Sequence, residues 1–322
     1  MEHPVYLQEK ITRTCLLFDG MVRCGKMLVA PLVSDLPKIE YAQNIIAVNE
    51  IPTLWRLDSI EESAAVSLLR MVVDSCTYER AIGRHLNTRR DDIYAVHRSL
   101  NGEEILARVN EEEGRPALDR FNAAGRISSF ITHQTLPQAE LWFKAFPDLY
   151  LLLTVRHPID VVYSWNSRGW GERWGNDPLG FSLAPEVNAK PVPWFALDFA
   201  EDYLSLSPWN RIVKCILSLL DVYDDALKGL NETQRGQVEI VCFERMAADP
   251  VAELERLAGW LGTTLHPDME TAMKRERVPR QLDINDRRDK LRQMEGEIEP
   301  ELMDLLLAAG REYETRWGLE GL

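Results

Sequence analysis

Residues 16–29, Leu-Leu-Phe-Asp-Gly-Met-Val-Arg-Cys-Gly-Lys-Met-Leu-Val, constrain the fold more than any other stretch of the chain. Residues 15–18 are an apolar run, Gly20 and Gly25 bracket a tight loop, and from Lys26 onward apolar residues recur at helical spacing. The pattern is strand, loop, helix. Glycines let such a loop approach a bulky anion, and the free N–H groups and dipole at the helix N-terminus favour negative charge there. Arg23 and Lys26 add full positive charges, so the chemistry indicated is phosphate binding. Residues 20–26 fit G-x-x-x-x-G-K, but the next residue, which would be Ser or Thr to reach magnesium, is Met27. A thioether cannot serve there, so the loop is expected to take phosphate without a metal. The simpler alternative is a glycine-containing turn joining a buried strand to a helix.

The rest of the chain continues the alternation. Short strands are expected at 44–48, 126–133 and 238–243, and the uninterrupted apolar run 149–155 suits a strand covered on both faces. Helices are expected over 59–79, 102–124 (two of them), 137–146, 159–165, 208–227 and 251–261, with a polar loop at 83–101. Residues 169–197, rich in Gly and Pro and containing Trp170, Trp174 and Trp194, read as an insertion or lid. This order implies an α/β fold with a mainly parallel central sheet flanked by helices, in one domain spanning residues 1–322. Ligands of such sheets sit beyond the strand C-termini. Arg23, His133, Arg156 and Glu244 all follow expected strand ends and are candidates for one cleft.

A formal net charge of −14 disfavours nucleic acid or an anionic membrane as partner. Any anionic ligand must therefore meet a local basic cluster. The five cysteines lie far apart without a C-x-x-C pair and read as thiols of a reducing compartment, with Cys24 as a small residue filling the loop. The first ten residues lack the basic and apolar regions of a signal peptide, and no apolar run approaches a membrane span, so the expected location is the cytoplasm.

Together these pieces resemble the sulfotransferases that use 3'-phosphoadenosine 5'-phosphosulfate (PAPS). Arg23, Cys24, Gly25, Lys26 and Met27 match the family's loop for the 5'-phosphosulfate. The run Leu-Leu-Leu-Thr-Val-Arg156-His-Pro158-Ile-Asp160-Val-Val-Tyr-Ser164 reproduces the signature whose Arg and Ser bind the 3'-phosphate. A strand-end Arg offers phosphate a planar fork of donors. Ile131-Thr132-His133 is similar to the segment whose histidine is the catalytic base. Phe243 and Glu244 stand where the family has a strand-ending Tyr-Glu; Phe243 is placed either to stack on adenine or to pack in the core.

The chain departs from that family at three places. Lys26 and Met27 replace two threonines, Ile131 replaces a lysine, and the C-terminal Gly-x-x-Gly-x-x-Lys element gives way to a basic segment. Residues 274–292 hold eight Lys or Arg against four Asp or Glu, from which Arg277 and Arg280 are candidates for the 3'-phosphate. The resemblance implies metal-independent sulfuryl transfer to a hydroxyl or amine, with His133 as base and Lys26 and Arg23 stabilising the leaving phosphate. Trp165, Trp170 and Trp174, which could stack on a sugar, point to a glycan or other small-molecule acceptor. Two alternatives stay open: a phosphate-loop kinase of small molecules, and a nucleotide-binding protein without catalysis.

Overall fold

The computed structural model describes residues 9–319. Residues 1–8, most of the stretch read above for a signal peptide, lie outside the described residues. In chain order the elements begin with β1 (Cys15–Asp19), α1 (Lys26–Ser34), β2 (Gln43–Asn44), α2 (Ile46–Arg56) and α3 (Glu62–Ala81). There follow α4 (Gly102–Ala107), α5 (Arg115–Ala123), β3 (Ser128–Ile131), α6 (Ala139–Ala145), β4 (Tyr150–Val155) and α7 (Pro158–Asn166). Next come α8 (Trp170–Arg173), the hairpin β5 (Glu186–Val187) and β6 (Lys190–Pro191), α9 (Ala200–Ser205), α10 (Pro208–Gly229) and α11 (Glu232–Gly236). The chain closes with β7 (Val238–Cys242), α12 (Phe243–Ala248), α13 (Pro250–Trp260), α14 (Met269–Glu276), α15 (Ile284–Met294) and α16 (Pro300–Trp317). Among the described residues no helix is long and apolar enough to cross a membrane.

Two compact units emerge. The first takes the described chain up to Gly20, then Gly25–Thr154 and Asn231–Arg280; the second takes Met21–Cys24, Val155–Leu230 and the chain from Gln281. The core of the first is a five-stranded sheet of order β2-β3-β1-β4-β7. β1 pairs in parallel with β3 (Leu17 opposite Phe130) and with β4 (Leu17 opposite Leu151), and β2 in parallel with β3. Every residue of β1 is fully buried, as a central strand covered on both faces requires. The α/β architecture with a mainly parallel sheet and flanking helices is therefore the one expected.

The second unit is built round α10, whose stripe of Ile212, Val213, Ile216, Leu219 and Tyr223 is buried. α7, α8 and α16 pack against that helix. Its N-terminus is capped by Ser207, whose hydroxyl accepts the Asn210 N–H, with Pro208 in the first turn.

One element differs from expectation. The strand read at 44–48 ends at Asn44, and Ile46 opens α2. Short apolar runs do not distinguish strand from helix; here Val48, Asn49, Ile51 and Pro52 form one buried helical face that decides it.

Candidate functional site

Gly20 and Gly25, at the borders of the loop, adopt φ of +135° and +109°. Gly25 is fixed twice over. A Cβ there would sit 2.2 Å from Cδ2 of Phe243, so the ring of this half-buried residue, the first of α12, lies against the loop backbone. Cys24 is buried, as a small loop-filling side chain should be. The Gly25 carbonyl accepts the N–H groups of Leu28 (2.9 Å) and Val29 (3.3 Å), starting α1.

Lys26 does not project as an open cation. It is 3% exposed, and its Nζ donates to the Gly20 carbonyl at 2.5 Å. A buried ammonium needs nearby acceptors, and the loop provides one of its own. Met27 is partly exposed, and its sulfur accepts the Tyr94 hydroxyl.

His133 follows β3 in the same unit. Its backbone N–H donates to Asn49 Oδ1 at 2.7 Å, and its Nδ1 is sealed from solvent without a hydrogen-bond partner. Loss of hydration, and secondarily the Lys26 ammonium, hold the imidazole pKa well below its ordinary value. At neutral pH the ring is uncharged and can accept a proton. The segment around it is pinned by Asp19, a fully buried carboxylate that the sequence reading passed over. Asp19 accepts Thr132 Oγ1 (3.0 Å), the Thr135 N–H (3.0 Å) and the Leu136 N–H (2.8 Å).

Glu244 is buried and accepts the Cys242 thiol at 3.4 Å, a structural rather than a reactive setting. Arg277 is exposed beyond α14 with φ +57°, and Arg280 folds back to donate to the carbonyls of Arg277 (3.0 Å) and Glu276 (2.9 Å).

In the second unit Arg23 of the glycine loop meets the segment 156–164. Arg23, at φ +68°, donates Nε to Ser164 Oγ at 3.0 Å, and Arg156 Nη1 donates to the Arg23 carbonyl at 3.4 Å. Trp165 Nε1 donates to the Val22 carbonyl at 2.7 Å. Burial, then the charges of Arg168 and Arg156, lower the Arg23 pKa. No carboxylate pairs with Arg23 or Arg168 among the described residues, so the cluster has the excess positive charge that a phosphate group would balance. Arg168 is a member that the sequence motifs did not reveal.

Other cations of the basic C-terminal segment pair with carboxylates. Lys290 Nζ and Arg287 Nη2 reach Asp160 at 2.7 and 3.3 Å, while Arg287 Nη1 and His157 Nε2 reach Glu314 at 3.4 and 3.2 Å. Burial alone would raise the Asp160 carboxyl; the Lys290 bond and charge, then Arg156 and Arg287, bring it below its ordinary value. These cations tie α15 and α16 to α7. In the first unit Arg275 likewise pairs with Asp35 at 2.8 Å.

Two of the three indoles read as a stacking surface for a sugar are buried. Trp165 is fully buried and Trp174 is 7% exposed, and both pack against Phe195 at centroid distances of 6.2 and 5.2 Å. Trp170 lies against Trp174 at 4.8 Å. The residues expected to form a lid thus help build an aromatic core.

No protein-family model matches the chain, and no curated protein matches it. Among solved structures it is similar to the sulfotransferase domain from the curacin biosynthetic pathway, at 10% identity over 84% of this chain and 80% of that one, with a TM-score of 0.43. It is also similar to sulfotransferase STF9 from Mycobacterium avium, at 13% identity over 88% and 76% with a TM-score of 0.42. A sulfotransferase from Alicyclobacillus acidocaldarius is similar at 16% identity over 86% and 99%, with a TM-score of 0.39.

Proposed function

We propose that the chain moves a sulfuryl group from PAPS to a hydroxyl or amine of a small-molecule acceptor, without a metal, in a reducing compartment such as the cytoplasm. The observation that carries this reading is the bond between Arg23 of the loop and Ser164 of the second motif, beside Arg156. Residues recognised separately by local pattern come together as one cationic cluster with no opposing carboxylate on Arg23.

When bound, PAPS supplies the sulfuryl group and a phosphate leaving group. Arg156 and Ser164 hold the 3'-phosphate, contributing position more than chemistry. Backbone N–H groups of residues 25–27, with Arg23 and Lys26, receive the 5'-end; Lys26 turns from the Gly20 carbonyl to the departing phosphate oxygen, where one well-aimed donor is worth ~3 kcal/mol. His133 takes the acceptor's proton on its neutral imidazole. The acceptor oxygen or nitrogen bonds to sulfur as the sulfur–oxygen bond to the phosphate breaks, and that electron pair leaves with the phosphate. Phe243 keeps the loop backbone in place at Gly25 and offers a ring face for adenine.

A kinase needs a hydroxyl at position 27 and an acidic strand end to hold magnesium. Position 27 is a thioether bonded by Tyr94, and Asp19 at the end of β1 is occupied by three donors from residues 132–136. Sulfuryl transfer fits these residues better.

Radiolabelled PAPS, offered with a panel of phenols, alcohols and amines, tests the proposal. Label should pass to an acceptor in excess EDTA, ATP should not act as donor, and Lys26→Ala should remove most of kcat. Loss of turnover in EDTA with rescue by magnesium, or donation by ATP, would replace the reading with a kinase. Tight PAPS binding without transfer to any acceptor would leave a binding protein.

A further inference from the structure

The first unit contains a cavity of about 610 Å³ at the β2 edge of its sheet, with Met27 in its wall. Gln43, Asn44, Glu79, Arg80 and Tyr94 contribute to the lining. Met27 follows Lys26 directly, and Asn44 pairs with Ile131, two residues before His133. The cavity wall thus includes the chain neighbour of Lys26 and the strand partner of the segment that leads to His133.

Its polar wall is not self-satisfied. Arg80 is 1% exposed, with its guanidinium 4.5 Å over the Phe130 ring. Its Nε and Nη2, the edge that fits a carboxylate, donate instead to the neutral amide oxygen of Gln43 at 3.2 and 3.1 Å. Nη1 has no partner, and no carboxylate pairs with Arg80 among the described residues. The buried carboxylate Glu40 is occupied by Arg108, which grips it through two bonds of 2.8 Å. Arg126 and Glu104 join the same network, so Glu40 is shared between Arg108 and Arg126 and is not left for Arg80. Next to Arg80, Glu79 Oε2 is also buried without a partner, while Glu79 Oε1 stands 3.8 Å from Arg84. The other wall carboxylate, Asp92, accepts the Tyr94 N–H at 2.9 Å. A buried charge without an ion-pair partner is costly, and a ligand of opposite charge would offset that cost.

We infer that this cavity receives the acceptor, and that the acceptor is a carboxylic acid bearing a hydroxyl or amine. The carboxylate answers the charge of Arg80. This inference rests on the sulfotransferase reading for the word acceptor, but the binding preference does not.

Calorimetry on the purified full chain, with para-hydroxyphenylacetate and its neutral amide as probes, tests it. The acid should bind about tenfold or more tightly than the amide, and Arg80→Gln should erase the difference. The comparison on the unaltered protein decides the matter even if that variant fails to fold. Equal affinities, or no binding of either probe, overturn the inference. Tighter binding of the acid with no transfer from PAPS would sink the proposed function and leave the cavity's preference standing. Sulfation of neutral phenols with no advantage for the acid would do the reverse.

Discussion

Arg23 Nε lies 3.0 Å from Ser164 Oγ, and this hydrogen bond joins the glycine loop to the helix that follows Arg156. Each residue belongs to a pattern that could be fortuitous on its own. Their contact brings residues of the two patterns together.

Arg156→Ala should weaken binding of PAPS and of 3',5'-bisphosphoadenosine by roughly 1.5–3 kcal/mol, or about ten- to a hundredfold, as expected for a lost charge-assisted hydrogen bond. Adenosine 5'-phosphosulfate, which has no 3'-phosphate, should bind almost unchanged. Titration calorimetry with the three ligands gives the answer, and equal losses would remove Arg156 from the 3'-phosphate.

His133→Ala should leave nucleotide affinity intact while kcat falls by ~10²–10⁴. Because burial and Lys26 depress the imidazole pKa, the base remains unprotonated below the ordinary histidine range. The acid limb of log kcat should therefore lie well below pH 6.5. An acid limb at or above the ordinary value would indicate a different base.

Gly25→Ala should strain the loop, through both its φ of +109° and the 2.2 Å approach to Phe243. Loss of a few kcal/mol of stability is expected, with nucleotide affinity reduced alongside. Adding Phe243→Ala should recover only part of the loss, because removal of the ring leaves the backbone conformation unfavourable for alanine. Thermal melts of the single and double variants separate the two causes.

His157 is fully buried, and loss of hydration, followed by the Arg287 charge, lowers its pKa to about 4. Between pH 6.5 and 4 the unfolded chain binds a proton there that the folded chain does not. Stability consequently falls as pH falls through this window, by up to ~1.4 kcal/mol per pH unit from this residue. Denaturant unfolding of His157→Asn across the same range should show a slope smaller by about one proton; an unchanged slope would mean that His157 is protonated in the folded state.

Much of the fold could be read locally. β1, the loop and α1 follow from glycines, charge and period within one short stretch, and Arg156, Pro158 and Ser164 fall at the strand end and on the helix where their spacing places them. Side-chain partners distant in sequence were not legible. Nothing near Lys290 or Arg287 indicates that Asp160 neutralises them, and nothing near Met27 indicates Tyr94. A tryptophan beside glycines has the same local pattern whether it faces a ligand or, like Trp165, fills a core. The 44–48 run failed for a related reason: its apolar residues suit either period until burial selects one.

The Trp165 indole gives the loop its own spectroscopic reporter. Its N–H is committed to the Val22 carbonyl, inside the segment proposed to hold the nucleotide. Indole N–H resonances stand apart from the amide region of a proton–nitrogen correlation spectrum, so a shift of this one signal would register occupancy of the loop in solution, with no added label chemistry and before any acceptor is known.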